Sequence, residues 1–172
     1  LDALGLERAH VVGHAAGGNA GLALALSHPD RLARLVVVNG WSRPDPHIRR
    51  CFDTRIRLLE DSGIEAYVHA QPLFLYPADW ISRNHARLMA EEAHHVAGFP
   101  HPEVMLARIR ALLAFDIDAD LERIGHRVLV SCSADDMLVP MRCSQRLAGL
   151  LPNADLQQVA WGGHGFTVTD PE

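Results

Sequence analysis

Lysine is absent from this 172-residue chain, and all 16 basic residues are arginines. No lysine is therefore available to form a Schiff base with a carbonyl substrate or to anchor pyridoxal phosphate. Cysteine is scarce: Cys51, Cys132 and Cys143 make an odd number at no zinc-like spacing. That usage fits a reduced, cytoplasmic setting better than a disulfide framework. The net charge is −5 with no basic block, which argues against a nucleic-acid partner. No apolar run approaches the ~20 residues of a membrane span. The longest, residues 20–26, ends in Ser27-His28-Pro29. The chain opens on Leu1 without a signal-peptide layout, which reads as a processed start or a cut in a longer chain.

What is present is a globular composition, 48% hydrophobic and 22% charged, long enough for one domain with a sizeable core. The order of elements suggests an α/β fold. Residues 10–13 read as a strand, 16–27 as a buried helix stopped by Pro29, and 34–39 as a second strand whose aliphatic run suits a parallel sheet. Gly17, Gly18 and Gly21 weaken the helix but allow close packing on a sheet. A second β-α-β rhythm follows late, with strands at 127–132 and 155–160 around a helix at 141–151. Between the two, residues 41–120 form an all-helical insertion, with helices expected at 51–61, 63–71, 79–96 and 103–114 and breaks at 72–77 and 98–102. The domain reading is thus core at 1–40, helical cap at 41–120 and core again at 121–172.

Three features follow strands in turn. Gly13-His14-Ala15-Ala16-Gly17 has the G-x-S-x-G shape of a nucleophile elbow with alanine where serine would stand. Asp136 follows the third strand, four residues before Pro140, with Asp135 as the alternative. His164 follows the fourth, behind Gly162 and Gly163, which let the chain bend sharply. Positions beyond the C-terminal ends of parallel strands are where an open α/β sheet gathers its ligand site. The chain order, elbow then acid then histidine, is that of the α/β-hydrolase triad. A histidine transfers protons near neutral pH, and a carboxylate fixes its tautomer and stabilises the imidazolium. Ala15 cannot be the nucleophile, because a methyl group cannot attack.

Trp41 and Trp161 are expected walls of a substrate pocket, with core packing as the alternative role. His14 and Ala16 flank the elbow and join them as substrate-binding positions. Arg43 and Arg49 are candidates to meet a carboxylate. Glu91, Glu92, His94 and His95 have a Glu-x-x-His spacing on a helix. A single copy without a partner motif reads as a solvated face, so neither metal nor cofactor is expected.

Several stretches carry a resemblance in detail: Val12-Gly13-His14-Ala15, Val38-Asn39-Gly40-Trp41, Arg49-Arg50-Cys51-Phe52, Gln71-Pro72-Leu73-Phe74-Leu75-Tyr76-Pro77-Ala78-Asp79-Trp80, Asp135-Asp136-Met137-Leu138-Val139-Pro140, Gly162-Gly163-His164 and Val168-Thr169-Asp170-Pro171-Glu172. With these the chain resembles the α/β-hydrolase superfamily and, within it, the RutD-like proteins of pyrimidine utilisation. The resemblance covers essentially the whole chain. It implies a role in uracil and thymine catabolism, helping carbamate or aminoacrylate to hydrolyse with release of ammonia. An alanine at the elbow is familiar in that branch. The resemblance also implies that N-terminal strands, an oxyanion-hole loop and a closing helix lie outside this stretch. A fragment of this kind would bare the sheet edge where those strands pair. The expected partner is a small polar substrate, with no nucleic acid and no membrane; a homo-oligomer stays open. Two other readings stand beside hydrolysis: a non-enzymatic binding protein on the same frame, and a serine esterase altered at Ala15.

Overall fold

The computed structural model describes residues 1–171. Glu172, the end of the last stretch quoted above, lies outside the described residues. In chain order the elements are β1 (Ala9–His14), α1 (Ala16–Ser27), β2 (Leu32–Val38), α2 (Pro46–Leu75), α3 (Ala78–Arg83), α4 (His85–Ala97), α5 (Pro102–Ala114), β3 (Val128–Ser133), α6 (Met141–Leu150), β4 (Ala154–Val159) and the short α7 (Phe166–Thr169). The strands form one sheet in the order β1-β2-β3-β4. The β1–β2 and β2–β3 pairs are parallel, with Gly13 opposite Val37 and Val37 opposite Val130. This is a parallel sheet interrupted by a helical insertion. By packing, the residues fall into two compact units. One comprises Leu1–Arg43, Phe115–Cys132 and Met141–Val159; the other comprises Pro44–Ala114, Ser133–Pro140 and, of the described residues, 160–171.

The first unit holds the sheet and its crossover helices. Its core joins Leu22 and Ala25 of α1 to Leu35 and Val37 of β2, Val128 and Val130 of β3, and Leu147 of α6, with Leu121 and Ile124 closing it. Helix α1 buries one face, through Gly18, Gly21, Leu22 and Ala25, rather than its whole circumference. A Cβ at Gly18 would lie 2.7 Å from Val37 Cγ1, and one at Gly21 would lie 2.5 Å from Leu35 Cδ1. Those two glycines set the helix-to-sheet distance. Gly17 does not, because nothing lies within 4 Å of its would-be Cβ. β1 ends the sheet order, and Val12 on it is 73% exposed.

The second unit is helical and also contains the segments that carry Asp136 and His164. Helix α2 begins at Pro46, five residues before the expected start. Asp45 is the reason: its carboxylate accepts from Ile48 N at 2.9 Å, and Pro46 stands at the first helical position, where its missing N–H costs nothing. The helix breaks direction at Gly63 (φ 84°, ψ −174°) and then runs through Pro72 to Leu75. The expected break at Pro72 is therefore displaced. Proline removes one helical donor, leaving Val68 O without its usual partner, but Tyr76 N still donates to Pro72 O and completes the turn. The expected single helix over 79–96 is two, α3 and α4, divided at Asn84. There Asn84 (φ −109°, ψ 19°) leaves helical geometry; its Nδ2 donates to Trp80 O at 2.9 Å, beside the backbone bond that Asn84 N makes to the same carbonyl at 3.0 Å.

Candidate active site

The elbow is built by backbone. Ala15 has φ 48° and ψ −111°, a conformation rare for a residue with a Cβ. Its N–H donates to Val38 O at 2.8 Å, and its carbonyl accepts from Asn19 N at 3.1 Å, starting α1. Gly13 makes the turn sterically possible: a Cβ there would lie 2.3 Å from the backbone C and O of Gly17. Ala16 is the first residue of α1, so its N–H has no acceptor within the helix. His14 at the end of β1 is exposed, while Ala15 and Ala16 are half-buried.

The acid and histidine segments are built by side chains. Asp136 and His164 are both buried, and Asp136 Oδ2 lies 2.7 Å from His164 Nδ1. The other carboxylate oxygen of Asp136, Oδ1, accepts from Leu138 N and Val139 N, each at 2.8 Å. This geometry fixes the carboxylate plane and its aim at the ring. Asp135 faces elsewhere. Its carboxylate accepts from Ser133 Oγ at 2.5 Å, Gly163 N at 2.8 Å and Gly162 N at 3.3 Å. Gly162 (φ 125°) and Gly163 (φ 69°) form the left-handed bend that presents His164. A Cβ at Gly163 would lie 2.9 Å from Leu75 O, and the same carbonyl accepts from Gly165 N at 2.8 Å. The end of α2 thus backs the histidine turn. One aspartate holds the ring, and its neighbour holds the backbone that carries the ring.

Helix α2 also supports the acid segment. His47 Nε2 lies 2.6 Å from Met137 O and 3.4 Å from Cys51 Sγ, and Cys51 Sγ lies 3.8 Å from the same carbonyl. Burial pushes the Cys51 thiol above its ordinary pKa, so it is held neutral rather than activated. Sequence patterns did not single out His47, Leu75 or the Asp135 clamp. The signal for the clamp was two consecutive glycines before a histidine, whose N–H groups need an acceptor.

Other expected positions are placed as follows. Trp41 is 1% exposed. With the Asn19 amide oriented to satisfy both groups, it donates to Trp41 O at 3.1 Å and accepts from Trp41 Nε1 at 3.2 Å. Trp161 is half-buried. Arg43 is ion-paired with Asp118 at 3.0 Å. Burial alone would raise the Asp118 carboxyl, but its hydrogen bonds, the one from Arg146 foremost, and the charges of Arg146 and Arg43 hold it below its ordinary range. Arg49 is exposed and donates to Leu113 O at 3.3 Å. Glu92 pairs with His69 and Glu91 with Arg87. Among the described residues no group of three or more His, Cys, Asp or Glu is arranged to hold a metal. None of their helices is long and apolar enough to cross a membrane.

The model of the alpha/beta hydrolase fold family matches residues 1–63. A protein of Caulobacter segnis named "Putative carbamate hydrolase RutD" is 87% identical over all 172 residues, which span 64% of its length. A protein of the same name from Stutzerimonas stutzeri is 52% identical over 172 residues, 65% of its length. The chain belongs to the α/β-hydrolase superfamily, in its RutD-like branch. It spans about two thirds or slightly less of the curated RutD proteins it matches. Among solved structures, an alpha/beta hydrolase from a deep-sea metagenome library superposes with TM-score 0.89 at 23% identity, over 99% of this chain and 63% of that one. A hydrolase from Pseudomonas aeruginosa gives 0.86 at 25%, over 99% and 63%. These likenesses are to the fold. The RutD-like identity rests on the sequence relatives, which keep their similarity across the whole chain.

Proposed function

We propose that the complete protein assists hydrolysis of a small anionic substrate, carbamate or aminoacrylate, releasing ammonia during pyrimidine breakdown. The observation that carries this reading is the buried Asp136–His164 pair at 2.7 Å. The name of the RutD relatives supplies carbamate, and the family resemblance supplies aminoacrylate. With Nδ1 engaged by Asp136, Nε2 is the ring atom for proton transfer.

Residue 15 brings no hydroxyl, so water is the attacking group and no acyl-enzyme forms. For carbamate, His164 takes a proton from water as its oxygen bonds to the carbamate carbon. The same proton then passes to nitrogen as the C–N bond breaks, giving ammonia and bicarbonate. Asp136 stabilises the transient imidazolium. General acid–base help of this kind is worth roughly 10²–10⁴-fold, a modest factor that suits substrates which also decay unaided.

The test is ammonia release by the full-length protein from freshly generated carbamate and aminoacrylate, corrected for uncatalysed decay. His164→Ala is expected to lower the catalysed rate by about 10²–10⁴-fold. The methyl at residue 15 favours a second reading, a ligand-binding protein without turnover. Equal rates for wild type and His164→Ala would select it.

A further inference from the structure

Among the described residues, Arg55 is a cation without a counter-ion. Arg31, Arg43, Arg87 and Arg146, among others, each pair with a carboxylate. No carboxylate pairs with Arg55 among the described residues. Its Nη2 donates instead to two neutral acceptors, Tyr67 Oη at 2.9 Å and Gln71 Oε1 at 2.6 Å. The guanidinium carbon lies 5.2, 5.4 and 5.8 Å from the ring centroids of Phe52, Tyr67 and Phe74. Nε is sealed from solvent without a partner. Nη1 has no hydrogen-bond partner among the described residues and is not sealed.

A merely structural tie between residues 55, 67 and 71 would need no charge. A neutral amide could make the same bonds without the cost of holding a cation in a half-buried aromatic cage. The cage compensates part of that cost through the ring faces and fixes the fork in one orientation. The result is a desolvated, pre-oriented cation with one open donor edge, which favours an anion over water.

Its position ties it to the candidate site. His47, Cys51 and Arg55 recur every four residues on one face of α2. The first two touch Met137 O, next to Asp136. The charges of Arg55 and Asp136 both act on the Cys51 thiol, in opposite senses.

We propose that Arg55 is the anion-binding residue of the site, taking the carboxylate-type group of a small substrate on Nη1 while Tyr67 and Gln71 hold Nη2. This rests on the hydrolytic reading above for the identity of the substrate. Carbamate and aminoacrylate each carry one such group, so a single cation serves either. Arg43 and Arg49, the arginines suggested by position in the chain, are respectively ion-paired and bonded to a backbone carbonyl.

The test uses acetate, a carbamate isostere with no C–N bond to break, and neutral acetamide as control, titrated by calorimetry or NMR into full-length protein. Wild type is expected to bind acetate and to discriminate against acetamide. Gln71→Glu places a carboxylate against the guanidinium while keeping the fold. It should weaken acetate binding by about 10- to 100-fold, the size of a lost charged hydrogen bond. It should also raise KM for ammonia release with little change in kcat. Arg55→Lys keeps the charge and loses the fork, and should fall between the two.

Acetate binding unchanged in both variants, or no preference over acetamide in wild type, would overturn the proposal. His164→Ala separates the two ideas. If it leaves ammonia release unchanged while Gln71→Glu still weakens acetate binding, the hydrolytic reading fails and the anion site stands.

Discussion

The elbow and the acid–histidine segments are rigid for different reasons. At the elbow, the turn is held by an absence of atoms at Gly13 and by backbone bonds from Ala15. At Asp136 and His164, nearly every constraint is a carboxylate oxygen on a donor: two backbone N–H groups and the imidazole for Asp136, two more N–H groups and a hydroxyl for Asp135. An elbow of the first kind survives loss of its hydroxyl, since the hydroxyl was never part of what shaped it. A segment of the second kind does not survive loss of its carboxylates. That difference explains how Ala15 can occupy a fully formed, strained elbow.

The contrast can be broken at four points, in falling order of effect. Gly13→Ala forces a Cβ to within 2.3 Å of backbone that cannot move aside; chemical denaturation of the full-length protein should show a loss of more than about 4 kcal/mol, or no folded protein at all. Asp136→Ala strands two buried N–H groups and the imidazole. A loss of about 2–4 kcal/mol is expected, together with loss of catalysed ammonia release. Asp136→Asn should recover most of the stability, because its amide oxygen can still accept from Leu138 and Val139, without recovering the activity.

Asp135→Ala releases the Gly162–Gly163 bend at a more exposed position, costing about 1–2 kcal/mol. It should lower kcat more than it raises KM, since the ring is misplaced while anion binding is intact. Ala15→Gly should be the smallest change and opposite in sign: relief of the φ 48° strain is expected to stabilise by about 1 kcal/mol. A destabilisation there would mean that the elbow does depend on the residue at its tip.

Much of the sheet was legible because local signals and global burial agree there. Residues 16–27 were expected as a helix and α1 is Ala16–Ser27; the four strands lie within two residues of expectation. The order elbow, Asp136, His164 was likewise visible, because each follows a strand and the strands are plain. The division of labour between Asp135 and Asp136 was not, since two adjacent carboxylates in one turn differ only in direction. In the insertion, Asp45-Pro46 is the start signal of α2, and the apolar spacing from residue 51 onward points to a later start than the cap sets. Pro72 and Asn84 misled in opposite ways: the helix runs through the proline to Leu75, and Asn84, at φ −109° and ψ 19°, leaves helical geometry where periodicity would have continued. Arg55 was hidden for a simpler reason. Its significance lies in the ion pair it lacks, and sequence does not list missing partners.

The kink at Gly63 has a consequence for reach. In an unbroken helix Arg55 would stand about 18 Å from Tyr67 and about 24 Å from Gln71 along the axis. In the folded chain it bonds to both, at 2.9 and 2.6 Å. One residue at φ 84° has folded a 30-residue rod back into its own neighbour. The grip on the guanidinium is therefore assembled from a single continuous stretch of chain, and its spacing is set by the backbone torsions of one residue rather than by the docking of separate parts.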